Sequence, residues 1–374
     1  MTVGAPLSVL IVDDSAAIRS AFSSIIRDDP GLTLMGVAAD PYEAARLMRD
    51  VLPDVMLLDL ELPKMDGLTF LRKIMAQRPL PVVVCSSHTE TGSQAMLAAL
   101  ESGASEVLAK PRFDTPQARR EAAIRLGDAL RAAVAARRGR SVSAAPAVRP
   151  ETLAPGEKFT ADVILPPRAP ANLPATAPLV AIGASTGGTE ALREILTALP
   201  PTAPAIVIVQ HMPETFTGAF ARRLDTLCRI EVREAVEGDT LAPGLALIAP
   251  GNRHMLLRRV GRGYHVTLHD GPYVCRHRPS VDVLFRSVAQ QAGANALGVI
   301  LTGMGADGAA GMVELREAGA MTLAQDEASC IVYGMPREAV ALGGVQKQLP
   351  LAALAAPIAS FAGGPRSASQ VGVA

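Results

Sequence analysis

Tryptophan is absent from this 374-residue chain, and aromatic residues make up only 3% of it. That scarcity argues against a large docking surface anchored by aromatic side chains, because Trp and Tyr supply most such anchors. Cysteine is also sparse. Cys85, Cys228, Cys275 and Cys330 are scattered with no C-x-x-C pair, which argues against a disulfide framework or a zinc knuckle and leaves reduced, buried thiols as the expected state. No apolar run reaches the roughly 18 residues that a membrane span needs, so no membrane insertion is expected. The opening stretch, MTVGAPLSVLIVDDSA, lacks a basic region followed by a long apolar segment, and its apolar run ends in two aspartates. It therefore does not resemble a secretory signal, and the expected compartment is the cytoplasm. An excess of charge is missing too: 36 Lys and Arg balance 36 Asp and Glu. No overall field draws the chain to nucleic acid or anionic lipid, and no nucleic-acid partner is expected.

What is present fits a soluble chain of two domains, with 49% hydrophobic residues and a length that allows a substantial core. Composition breaks from about Arg137 to Pro178, where RRGRSVSAAPAVRPETLAPGEKFTADVILPPRAPANLPATAP replaces periodic apolar residues with Pro, Ala and Arg. Such a stretch reads as a semi-extended linker with nothing to support a packed element. The expected organisation is a domain over 7–125, a Pro/Ala-rich linker over 126–177 and a second domain over 178–365. The final stretch, AGGPRSASQVGVA, reads as a disordered tail.

In the N-terminal part, short apolar runs (LSVLIVDD, LTLMGVAA, DVMLLDL, PVVVCSS, EVLAK) alternate with helical patterns. In AAIRSAFSSIIRDDPG, for example, Ile18, Phe22, Ile25 and Ile26 fall at helical spacing before a Pro-Gly stop. Alternation of this kind predicts a doubly wound parallel sheet whose function lies at the carboxyl ends of its strands. Asp13, Asp14, Asp59, Ser86 and Lys110 occupy those ends. Converging carboxylates repel one another unless they hold a hard cation such as magnesium, and one of them can then act as nucleophile toward a phosphoryl group whose charge Lys110 offsets.

The C-terminal part carries VAIGASTGGTEAL, in which Gly183-x-Ser185-x-Gly187 lies between a strand and a helical pattern. A sharp strand-to-helix turn exposes a serine hydroxyl and leaves backbone N–H groups free to hold an oxyanion. Serine needs a base. Of the six histidines, His211 follows the strand-like AIVIVQ and so shares a strand-end position with Ser185. His254, His265 and His269 fall in a segment that alternates like a surface hairpin, His88 belongs to the other domain, and His277 sits between two arginines in YVCRHRPSVDVLF. An orienting acid is available in the glycine-rich loop of GVILTGMGADGAAGM, at Asp307. The same loop contains Gly303-x-Gly305-x-x-Gly308 with Asp326 further on, which matches a dinucleotide fingerprint, but a lone match late in a domain with an acid inside it is weak.

LIVDDS, DVMLLDLELPKMDGLTFL, VVVCSS and GASEVLAKP resemble the receiver domain of two-component response regulators, a flavodoxin-like (βα)5 fold. The resemblance implies that Asp59 accepts phosphate, that Asp13 and Asp14 help Asp59 bind magnesium, and that Ser86 and Lys110 sense the phosphoryl group. Val107 stands where receivers usually carry an aromatic switch residue. IGASTGG, QHMPETFTGAFARRLD, HRPSVDVLFRSVA, LTGMGADGAAGM and GAMTLAQDEASCIVYGMPREAVALG resemble the catalytic domain of chemotaxis protein-glutamate methylesterases, a doubly wound α/β domain with a mostly parallel sheet. By that resemblance Ser185 is the nucleophile, His211 the base and Asp307 its orienting acid, with the backbone N–H groups of Met304 and Thr186 as oxyanion donors. It further implies hydrolysis of glutamyl methyl esters on methyl-accepting chemoreceptors, often with glutamine deamidation, no cofactor for the esterase, and a histidine kinase as phosphodonor. The expected regulation is a receiver that covers the esterase cleft until Asp59 is phosphorylated. A binding-only output domain and a nucleotide-dependent enzyme are the alternative readings.

Overall fold

The computed structural model describes residues 5–86, 90–111, 115–139, 159–168 and 176–363, and the chain divides into two compact units, Met1–Gly156 and Glu157–Ala374. The first unit is built from β1 (Leu7–Val12), α1 (Ala16–Asp28), β2 (Leu32–Ala38), α2 (Pro41–Leu47), β3 (Val55–Leu58), α3 (Gly67–Gln77), β4 (Val82–Ser86), α4 (Glu90–Glu101), β5 (Glu106–Ala109) and α5 (Pro116–Gly139). Its strands pair in the order β2-β1-β3-β4-β5, every pair parallel. A parallel sheet covered on both faces buries both sides of its strands, which is why VMLL of β3 and VVVCS of β4 are continuously buried rather than alternating. The helices start where the sequence offers caps. Ser15, Asp40 and Asp66 each accept backbone N–H bonds at the N-termini of α1, α2 and α3. The apolar stripe of α1, Phe22, Ile25 and Ile26, is buried against Val9, Ile11 and Leu57 of the sheet.

The second unit continues with β6 (Leu179–Ala184), α6 (Gly188–Thr197), β7 (Ala205–Gln210), α7 (Glu214–Asp225), β8 (Glu231–Glu234), β9 (Leu245–Ile248), β10 (His254–Val260), β11 (Gly263–His269), α8 (Val281–Gln291), β12 (Ala296–Ile300), α9 (Ala309–Glu317), β13 (Met321–Gln325), α10 (Met335–Ala341), β14 (Lys347–Leu349) and α11 (Leu351–Ala359). Its main sheet has the order β14-β13-β12-β6-β7-β9-β8 and is parallel throughout. From β6 the chain winds through α6 to β7 on one side, and from β12 through α9 to β13 on the other. The β6/β12 boundary is therefore a topological switch point, where the diverging loops open a crevice at the carboxyl ends of the strands. Helix α8 is almost wholly buried and shares its core with Met255 and Leu257 of the antiparallel β10–β11 hairpin.

Two features depart from the reading of the linker. Helix α5 runs on to Gly139, well past residue 125, because ALRAAVAA is strongly helix-forming and Leu130, Ala133 and Val134 are buried against the sheet of the first unit. Within the Pro-rich stretch, 159–168 is packed. A 3-10 turn at Ala161–Val163 buries Ala161 and Leu165 beside Leu256, Val274 and Val283. Arg286 of α8 holds the segment in place, donating to Asp162 and to the Leu165 carbonyl at 2.9 Å. The remainder of the linker, 140–158 and 169–175, lies outside the described residues, as do His88 and the tail from 364 onward.

Candidate active site

Ser185 is the first residue after β6, and its backbone is fixed on both sides. Its N–H donates to Thr302 O at 3.0 Å, while its carbonyl accepts from Gly188 N at 2.7 Å and from Gln210 Nε2 at 2.9 Å. The following turn requires glycine at Gly187, which has φ +79° and whose added Cβ would lie 2.7 Å from Ile331 Cβ. Gly303 is needed for a different reason: the strand-end loop passes so close that a Cβ there would lie 2.7 Å from Ser185 Cβ. Ser185 is buried, with 9% exposure.

His211 follows β7, and its N–H donates to Ala184 O at 3.1 Å, which ties the two strand ends together. Its Nε2 meets Asp307 Oδ2 at 2.8 Å, and its Nδ1 is buried with no hydrogen-bond partner among the described residues. No hydrogen bond joins Ser185 to His211 in this arrangement, a looseness common in unliganded sites whose bonds tighten around substrate. Asp307 is fully enclosed. Its carboxylate also accepts from Ser280 Oγ at 2.8 Å, Val281 N at 2.8 Å and Asp282 N at 3.1 Å, so it sits on the N-terminus of α8. Burial by itself raises its pKa. The His211 hydrogen bond, the nearby His211 and His277 charges and the Val281 N–H outweigh that effect and hold the carboxyl well below the usual carboxylate range.

The neighbouring Asp282 does the reverse service. Its Oδ1 accepts from Gly311 N at 2.7 Å in the first turn of α9, so each of the two aspartates caps the other's helix. Burial, then repulsion from Asp307, pushes Asp282 up to about 7. Reciprocal capping also disposes of the dinucleotide reading. The α9 N-terminus, where a pyrophosphate would rest, is filled by the Asp282 carboxylate, and Gly303 packs against Ser185 and Met335.

Several residues without a motif of their own in the sequence hold this site together. Gln210, the last residue of β7, bonds the carbonyls of both Ser185 and His211. Thr302 Oγ1 donates to Thr186 O at 2.9 Å and accepts from Val332 N at 2.9 Å. Ser280 both caps α8 and bonds Asp307. The hairpin holding His265 and His269 forms as expected, but His254 is no surface residue. It is completely buried, with Nε2 donating to Pro272 O at 2.9 Å and Nδ1 accepting from Ser280 N at 3.2 Å. His277 stacks on His211 with ring centroids 3.7 Å apart.

In the first unit, the residues singled out at strand ends converge as well. Asp13, Asp14 and Asp59 offer oxygens within 4.8 Å of one another, and Lys110 Nζ lies 2.6 Å from Asp59 and 3.1 Å from Asp13. Burial pushes Asp59 up to about 6, against the hydrogen bond and charge of Lys110. Ser86 Oγ is buried and has no partner among the described residues. Val107 is a buried residue of β5.

An acidic pocket on a five-stranded parallel sheet, joined to a strand-end serine, histidine and aspartate on a second, defines a class: response regulators whose output unit is an α/β ester hydrolase. Comparison with known proteins then narrows the class to one family. The model of the response regulator receiver domain matches residues 9–120, and that of the CheB methylesterase matches residues 180–358. Over 94% of its length the chain is 64% identical to the protein-glutamate methylesterase/protein-glutamine glutaminase of group 3 operon of Cereibacter sphaeroides, covering 94% of that protein. It is 57% identical to protein-glutamate methylesterase/protein-glutamine glutaminase 5 of Anaeromyxobacter dehalogenans over 94% of this chain and 96% of the relative. The crystal structure of the Thermotoga maritima CheB methylesterase catalytic domain is 34% identical, covering 50% of this chain and 98% of that one with a TM-score of 0.48. This chain belongs to the receiver-carrying CheB methylesterase family.

Proposed function

We propose that the chain hydrolyses glutamyl methyl esters on methyl-accepting chemoreceptors, and deamidates receptor glutamines, at a site formed by Ser185, His211 and Asp307. Ser185 Oγ attacks the ester carbonyl as His211 takes its proton. Because Nε2 is committed to Asp307, the accepting atom is Nδ1. Backbone N–H groups of Met304 and Thr186 stabilise the oxyanion, and His211 returns the proton to departing methanol, or to ammonia from an amide. Water then releases glutamate from the acyl-serine by the same route. Asp307 stays ionised throughout and keeps the imidazole in one tautomer. The observation that carries this reading is the 2.8 Å His211–Asp307 bond, which links the loops after β7 and β12, the two strands that flank β6, with Ser185 fixed at the end of β6 between them. Its relatives' names, which pair methylesterase with glutaminase, support both substrates.

The receiver, which α5 carries past residue 125 to Gly139, takes phosphate on Asp59 from a histidine kinase of the chemotaxis system. The three close carboxylates fit a hard divalent cation, and Asp14 and Asp59 would hold magnesium with help from Asp13. When bound, magnesium offsets the charge of the phosphoryl oxygens. Lys110 and the buried Ser86 hydroxyl supply the remaining donors to that group. The esterase is proposed over 178–365 and needs no cofactor. No helix among the described residues is long and apolar enough to cross a membrane; the cytoplasm is the proposed compartment, because phosphate from a histidine kinase reaches the receiver there. A fluorophosphonate probe tests the esterase reading: it should label the folded protein at Ser185 and fail to label Ser185→Ala. A folded wild-type protein that resists the probe would favour a binding-only output unit.

A further inference from the structure

We infer that His277 is a positioning residue for His211, holding the imidazole plane by flat ring-on-ring contact. The inference rests on the reading of His211 as the base. The two rings lie 3.7 Å apart between centroids and only 5° from parallel. One hydrogen bond at Nε2 restrains a single point of the His211 ring, and the terminal torsion of histidine is broad, so the ring can still swing about that point. A flat neighbour in van der Waals contact removes the swing. Nδ1 then points in one direction, which matters because a misplacement of about 1 Å can cost about a hundredfold in rate.

The backbone that carries His277 is strained in a way that gives this contact its geometry. Val274 and His277 pair across a tight turn, with Val274 N to His277 O at 3.0 Å and His277 N to Val274 O at 2.8 Å. The two residues between them, Cys275 at φ +48° and Arg276 at φ +69°, both occupy the left-handed region without being glycine. Turns with two such positions normally take Asn-Gly, and a pair of bulkier residues persists only where the surroundings enforce it. They do so here from both sides. Cys275 N donates to Phe159 O at 3.0 Å, and Cys275 Sγ lies 3.4 Å from Asp282 Oδ2. Arg278 donates to the Gly271 carbonyl at 2.6 Å and to Asn252 Oδ1, and lies over the Tyr273 ring. His277 Nδ1 is 4.0 Å from Asp307 Oδ2, beyond hydrogen-bonding range, so His277 does not share the role of His211 in orienting on that carboxylate.

The test is steady-state methanol release by the full-length protein on methylated chemoreceptor membranes, with phosphodonor and magnesium, for wild type, His277→Phe, His277→Leu and His277→Ala. Wild-type release that Ser185→Ala abolishes is the control for the underlying reading; without it that reading fails and this inference falls with it. Given that control, His277→Phe should keep kcat within about threefold, because a flat ring remains. His277→Leu and His277→Ala should lose about tenfold or more in kcat with KM within about twofold, as expected when alignment and not substrate binding is lost. Thermal melting identifies a variant that does not fold, and Leu stands in for Ala in that event. Equal losses in Phe and Leu would assign the role to the ring nitrogens, and unchanged kcat in all three would remove it. Either result overturns positioning by stacking.

Discussion

Two buried aspartates with opposite pKa shifts face each other at the helix pair α8 and α9, and the difference lies in their partners. Asp307 has a histidine and three donors on its oxygens, whereas Asp282 has the Gly311 and Gly308 N–H groups, a thiol and the charge of Asp307 beside it. A carboxyl whose folded pKa is raised stabilises the protein below its unfolded value, and that contribution is lost as pH rises through the folded value. For Asp282 the window runs from the ordinary 3.8 to about 7. Asp282→Asn keeps the oxygen that caps α9 and removes the charge. It should therefore melt at a higher temperature than wild type at pH 8 and at nearly the same temperature at pH 4, as followed by calorimetry of the full-length protein. A variant less stable than wild type at pH 8 would mean that the carboxylate's bonds to α9 outweigh its burial and its repulsion by Asp307.

At the scale of elements, the site is a set of strand ends brought together by one winding pattern. Much of that was legible beforehand: continuous apolar runs marked the parallel strands, and Ser185, His211 and Asp307 each followed one of them. What was not legible depends on contacts between segments far apart in the chain. Gln210 reads as the end of a strand, and only the packing of β6 beside β7 turns it into a clamp on two carbonyls. His254 opens a strand whose first four residues are all buried, so alternation along the hairpin hid its place beneath Ser280. Likewise, the Pro-rich linker gave no sign that Arg286 would hold 159–168 in place. The turn after β6 yields a direct prediction. Gly187→Ala places a Cβ in a left-handed residue and 2.7 Å from Ile331 Cβ, so it should cost ~1–3 kcal/mol in urea unfolding and reduce serine labelling. Wild-type stability in Gly187→Ala would show that the turn can relax.

For the whole molecule, the proposed function couples phosphate on the acidic pocket of one unit to ester chemistry on the other. Phosphorylation can only shift an equilibrium between states that differ in their interactions, so a receiver that restrains the esterase leaves a simple trace. A protein lacking residues 1–140 should show higher basal methanol release than the unphosphorylated full-length chain and no response to phosphodonor. Basal release no higher than that of the full-length chain would exclude restraint and leave activation as the receiver's action. Most directly, methanol release from methylated chemoreceptor membranes should be measured for the intact protein with and without a small phosphodonor and magnesium, beside Ser185→Ala and Asp59→Ala. Release should be stimulated by phosphodonor, abolished in Ser185→Ala and left unstimulated in Asp59→Ala. Release that persists in Ser185→Ala, or none at all from folded wild-type protein, would mean that Ser185 is not the nucleophile of a receptor methylesterase.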